Sequence, residues 1–204
     1  MLNIKNLSKH YDGHRVFQGL NYTFEPGCFA LCEQESTGKS TLLNIVAGVI
    51  APDTGDIWIN GLSLSQSPKQ AKARIAHVPD NCMEFPMETG RWLLEKVASE
   101  KNAQINDTVL DLANRLELTP HLEKRFEQLS TGMRRKVYLT AAAIGHPDVV
   151  IADGPTSGLD TRACAVVAEQ FKDWSQDRVV LFASHDAELV QECQANIVDI
   201  GALR

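Results

Sequence analysis

Residues 28 to 48 read Cys-Phe-Ala-Leu-Cys-Glu-Gln-Glu-Ser-Thr-Gly-Lys-Ser-Thr-Leu-Leu-Asn-Ile-Val-Ala-Gly. The short apolar run from Cys28 to Cys32 predicts a buried strand. Leu42, Leu43, Val46 and Ala47 then recur at helical spacing, and Gly48 ends the pattern. Gly38-Lys39-Ser40-Thr41 lies between that strand and that helix, the context a phosphate-binding loop requires. Backbone N–H groups at a helix N-terminus point at an anion, and the helix dipole favours negative charge there. A lysine supplies a point charge to the outer phosphates, and a hydroxyl reaches Mg²⁺. The full pattern is G-x-x-x-x-G-K-[ST], and its first glycine position holds Glu33. An acid aimed at a phosphate costs up to about 4 kcal/mol at 4 Å and an effective dielectric of 20. Glu33 and Glu35 are therefore expected to point outward. Ser36 stands where many such loops have a second glycine, and a left-handed backbone there costs about 1–2 kcal/mol.

The flanking sequence predicts strands. Ile4 to Leu7 is one. Val16 to Phe24 places Leu20, Tyr22 and Phe24 at alternate positions. Pro26-Gly27, Pro52 to Gly55 and Asn60-Gly61 mark turns around the strand Ile57 to Ile59, and Arg74 to Val78 follows. From about Glu88 to Gly145 helical patterns dominate. Continuous apolar runs then return at Val149 to Ala152, Val179 to Ala183 and Ile197 to Ile200, with helical stretches at Thr161 to Trp174 and Asp186 to Glu192 between them. Strands alternating with helices predict a mostly parallel sheet covered on both faces, with a helical insertion.

The 204 residues suffice for one large domain or two small ones. With 26 acidic against 20 basic residues the net charge is −6, which argues against a general grip on nucleic acid. No apolar run approaches the roughly 18 residues of a membrane span, and no secretory signal is read at the N-terminus. The five cysteines form no C-x-x-C pair, so a reducing cytoplasm is expected.

Three further motifs carry chemistry. Leu129-Ser130-Thr131-Gly132-Met133 precedes Arg134-Arg135-Lys136, which read as a solvated helix face. Asp153 ends the run Val149 to Ala152 and opens Gly154-Pro155-Thr156-Ser157-Gly158-Leu159-Asp160. Ser184-His185-Asp186 follows the next run. Trp58, Trp92 and Trp174 read as packing residues, His77 as a core histidine, and His10 and His14 as part of a solvated turn.

In this order and spacing, the motifs resemble the nucleotide-binding subunit of ABC transporters, over nearly the whole chain. The resemblance implies an α/β fold: a P-loop NTPase-type, mostly parallel sheet with an antiparallel β edge and an inserted α-helical subdomain. Residues 1–81 and 146–204 would form the nucleotide-binding core and 82–145 the helical subdomain. It implies ATP and Mg²⁺ as ligands. Tyr11 would stack on adenine. Ser36, Thr37, Gly38, Lys39, Ser40 and Thr41 would hold the phosphates. Ser130 and Gly132 would contact the γ-phosphate bound to a second cassette, in a homo- or heterodimer. Ser40, Asp153 and Asp80 would serve Mg²⁺, Asp80 standing where the family usually has a glutamine near the attacking water. His185 would contact the γ-phosphate, and Ser157 to Asp160 the second subunit. The permease would be a separate integral membrane protein, met near Met83 to Arg91, and the subunit would sit at the cytoplasmic membrane face.

Gly154 stands where the family has its catalytic glutamate, and glycine takes no proton. Loss of a general base typically costs about 10²–10⁴ in rate. Two readings follow: an ATP-driven transporter subunit, or a hydrolysis-impaired nucleotide switch paired with a competent cassette. A soluble cassette acting on DNA or ribosomes is the least supported, since there is one cassette and no sustained heptad pattern.

Overall fold

The computed structural model describes residues 1–31 and 37–203. The chain opens with a long hairpin, β1 (Leu2–Tyr11) and β2 (His14–Phe24), followed by β3 (Gly27–Leu31) and helix α1 (Lys39–Val46). Strands β4 (Thr54–Ile59) and β5 (Leu62–Ser63) precede a short helix α2 (Pro68–Ala73) and strand β6 (Ile75–Val78). Three helices come next: α3 (Gly90–Glu100), α4 (Asp107–Arg115) and α5 (Thr131–Ala142). The end of the chain alternates: β7 (Val149–Asp153), α6 (Thr161–Trp174), β8 (Val179–Ala183), α7 (Ala187–Glu192) and β9 (Asn196–Ile197).

Among the described residues these strands form two sheets. One is antiparallel, ordered β2-β1-β4-β5; the other is parallel, ordered β6-β7-β8-β3-β9. The apolar runs explain the parallel sheet. Val150, Ala152, Val180 and Phe182 face a core shared with α3, α4, α5 and α6. Their neighbours Val149, Ile151, Val179 and Leu181 face a second core with α1 and the antiparallel sheet. A strand buried on both faces has no reason to alternate polar and apolar residues.

The helices start where a short polar side chain can accept a free N–H. Thr89 accepts from Trp92 N–H, Asn106 from Val109 N–H, and Asp160 from Ala163 N–H. Asn60 and Gly61 both take positive φ between β4 and β5, as a tight hairpin turn demands. One strand departs from expectation. The run Ile197 to Ile200 does not continue as a strand; only Asn196–Ile197 pairs with β3, and a 3₁₀ turn follows at Ile200–Ala202. Asp199 is the cause, because its carboxylate accepts the Gly201 N–H at 2.6 Å and turns the backbone away.

Candidate functional site

The carboxyl ends of the parallel strands meet at one rim, where ligands of open α/β sheets bind. Gly38 caps α1 at φ +90, and a side chain there would put Cβ 2.4 Å from Val16 Cγ1. Only glycine fits. Lys39, Ser40 and Thr41 form the first turn that it launches. Asp153 ends β7, Pro79-Asp80 follows β6, and Ser184-His185-Asp186 follows β8. These segments surround an open cavity of about 700 Å³. Lys39, Ser40, Thr41, Asp80, Asp153 and His185 all line it, with Val16 closing the side nearest the hairpin. Thr156 Oγ1 donates to Asp186 Oδ2 at 2.8 Å, tying the segment after β7 to the segment after β8.

Burial pushes the Asp153 carboxyl above the usual range. Its hydrogen bond with Ser40 opposes that, the neighbouring Asp80 charge adds to it, and Arg135 and Lys39 draw it back down. The site therefore concentrates a hydroxyl and carboxylates, all hard oxygen donors, beside a lysine. That set suits Mg²⁺, which is usually held by one or two carboxylates together with substrate phosphates. Among the described residues no cluster of three or more His, Cys, Asp or Glu could hold a metal ion.

Gly154 follows Asp153 at φ +58, held by its N–H on Ala183 O at 2.9 Å. A Cβ at this position would lie 2.8 Å from Ser157 Oγ and 3.6 Å from Asp80 Oδ1. Behind this corner lies Arg135, with 2% of its surface exposed. Its Nε donates to Ser157 O at 3.0 Å, Nη1 to Asp153 O at 2.9 Å and Nη2 to Asp80 O at 2.9 Å. Nη2 also lies 3.6 Å from Asp80 Oδ1. The reading of residues 134 to 136 as a solvated face is therefore corrected. Arg135 is buried, Arg134 Nε donates to Phe126 O at 2.7 Å, and Lys136 Nζ lies 3.5 Å from Asp160. Three consecutive positions cannot share one helix face, and residue 135 falls on the side packed against the sheet.

Ser130 and Gly132 do not line the cavity that holds Lys39. They border a second one, of about 780 Å³, with His121, Lys136, Gly158 and Asp160. Ser130 caps α5, its Oγ accepting from Met133 N–H at 3.2 Å, which leaves its own proton free to point outward. Tyr11 lines neither cavity; it is exposed at the end of the hairpin, with Lys9 Nζ 5.1 Å from its ring centre. Thr37 precedes Gly38 without lining the cavity. Ser36, Glu33 and Glu35 lie outside the described residues.

Arg135, Val16, Thr156 and Asp186 escaped the sequence reading as site residues. A basic run signalled Arg135 only as surface, and the others serve through contacts made by the fold. Two of the three tryptophans pack into the core: Trp174 is buried, and Trp92 lies against Phe85 at 5.1 Å between ring centres, whereas Trp58 is half-buried with Lys5 Nζ 4.4 Å over its ring. Of the four described cysteines none is in a disulfide, although Cys28 and Cys193 bring their sulfurs within 3.5 Å. Among the described residues no helix is long and apolar enough to cross a membrane.

Known proteins share this fold. The model of the ABC transporter family matches residues 17–157. The chain is 31% identical over 193 residues to "Nod factor export ATP-binding protein I" of Cupriavidus metallidurans, covering 92% of this chain and 64% of that protein. It thus spans less than two thirds of that relative's length. The solved "ATP binding subunit of ABC transporter" superposes with a TM-score of 0.82 at 25% identity, over 98% of this chain and 87% of that one. The dimeric cassette MJ0796, in a post-hydrolysis state bound to ADP and Pi, has the same fold, with a TM-score of 0.84 at 19% identity over 98% and 95% of the two chains. With the matched segment running from the β2 strand to the loop after Asp153, the chain belongs to the ABC transporter family.

Proposed function

We propose that this chain binds ATP with Mg²⁺ at the Lys39 cavity and, paired with a second cassette, drives a separate membrane permease. The observation that carries this reading is the convergence of Lys39, Ser40, Asp80, Asp153 and His185 on one cavity while Ser130 and Gly132 border another. A single chain holds two unlike half-sites, and two chains facing each other would complete both. The segment Gly154 to Asp160 lies between them: Gly158 O sits 2.2 Å from where a Cβ of Gly132 would be.

In this reading Lys39 neutralises the outer phosphates, and the N-terminus of α1 presents backbone donors to them. Ser40 and Asp153 would hold Mg²⁺, which supplies charge neutralisation across the phosphates. His185 donates to the γ-phosphate, and Asp80 faces the attacking water. Hydrolysis forms a bond from the water oxygen to the γ-phosphorus and breaks the bond to the β–γ bridging oxygen. That oxygen leaves with ADP, and the water's proton is released with phosphate. Such transfer depends mainly on positioning and charge stabilisation. We take residues 1–81 and 146–204 as the nucleotide-binding core and 82–145 as the helical subdomain. The permease would meet the groove of about 960 Å³ beside Asp80 that Phe85, Lys96 and Tyr138 help to line. The subunit would then sit at the cytoplasmic face, and no nucleic acid is expected as a partner.

Gly154 favours a second reading, in which the chain binds ATP and switches without efficient turnover. Isothermal titration of ATP and Mg²⁺ into the chain tests the first claim, with micromolar to millimolar binding expected and its absence decisive against it. Single-turnover hydrolysis at saturating ATP separates the two readings. Robust turnover removes the switch reading; retained binding without turnover supports it.

A further inference from the structure

We propose that Arg135 is a positioning residue that holds Asp80 in place of the carboxylate missing at position 154. The proposal rests on the nucleotide-site reading above. Asp80 Oδ1 lies 3.6 Å from the point where a side chain at 154 would begin, so its carboxylate stands beside the vacant corner. Asp80 is three-quarters exposed and sits on a loop after β6, so an anchor is needed to fix its direction. Arg135 is that anchor. It comes from α5, in the helix whose first turn carries Ser130 and Gly132.

The guanidinium suits the task. It presents a rigid fork of donors, remains charged, and does not rearrange as a lysine does. Three of its donors fix carbonyl oxygens of Asp80, Asp153 and Ser157, one from each segment that frames Gly154. Its charge also lies 3.6 Å from the Asp80 carboxylate. One buried side chain thus sets the mutual position of the β6 loop, the end of β7 and the segment leading to the second cavity. Asp80, so held, orients the attacking water, which is the part of phosphoryl transfer that Gly154 leaves unfilled.

A double-mutant cycle on the full chain tests this, with Asp80→Ala combined with Arg135→Lys, and steady-state ATP hydrolysis as the readout. Asp80→Ala is expected to lower kcat by about 10²-fold with KM changed less than about threefold. Arg135→Lys is expected to lower kcat about tenfold in the wild-type background and by less than about threefold once Asp80 is alanine, the remainder reflecting its bonds to the Asp153 and Ser157 carbonyls. A merely structural arginine would cost the same factor in both backgrounds, and that result overturns the proposal. Arg135→Gln, read in the same cycle, serves if the lysine variant does not fold. Unchanged kcat in Asp80→Ala overturns the proposal without either arginine variant. ATP binding without any wild-type turnover overturns it too, while the binding function stands. Failure to bind ATP instead sinks the reading on which it rests.

Discussion

Two side chains near the rim set contrasting expectations. Lys39 lines the cavity at the start of α1 and is the one lysine or arginine among the described residues that line it. Lys39→Ala is expected to weaken ATP binding at least tenfold, a loss of about 1.4 kcal/mol or more, read by calorimetric titration. Unchanged affinity would mean that ATP binds elsewhere. His77 lies in β6, where burial lowers its pKa to about 4. The unfolded chain has it near 6.5, so between those values the unfolded state holds the extra proton. Stability is full above pH 6.5 and falls as pH drops towards 4, by up to about 1.4 kcal/mol per unit. Melting temperatures measured from pH 7.5 to 4.5 should drop more steeply for the wild type than for His77→Asn. Parallel curves would show that His77 is no such acid-sensitive group.

At the scale of elements, α5 is held tightly at its start. Its first turn packs so closely on the segment after β7 that alanine at Gly132 would meet Gly158 O at 2.2 Å. Backbone cannot yield as a flexible side chain does, so Gly132→Ala should cost about 1–3 kcal/mol of stability. A melting shift of roughly 2–12 °C is the corresponding measurement for a chain of this size. No shift would mean that the contact relaxes freely. Elements also divide what the sequence made legible. Val179 to Ala183 and Thr161 to Trp174 were readable to the residue, because a buried run and an Asp-capped amphipathic stretch each carry their own signal. The strand expected at Ile197 to Ile200 failed because one hydrogen bond, donated by Gly201 N–H to the Asp199 carboxylate, outweighed β-propensity. Arg135 failed for a different reason. A basic residue between two other basic residues looks like surface, and only the tertiary arrangement supplies the carbonyls that make its burial tolerable.

For the molecule as a whole, the separation of the two cavities makes association the central expectation. On the proposed reading each chain carries both unlike half-sites, and each complete site joins one from either chain, so ATP should bind the pair more tightly than the single chain. Light scattering should find a heavier species with ATP and Mg²⁺ than without, and Lys39→Ala should abolish the difference. A chain that stays monomeric at saturating ATP would argue for a different, unlike partner cassette.

The backbone at Gly154 also limits what another side chain could do at this corner. At φ +58, with Ser157 Oγ 2.8 Å from where the first side-chain carbon would go, a larger residue meets backbone strain and makes the Ser157 side chain turn aside. Left-handed backbone alone costs a non-glycine residue about 1–2 kcal/mol. A carboxylate placed at 154 would therefore start from a backbone that resists it, and Gly154→Glu is expected to lower the melting temperature unless the segment shifts.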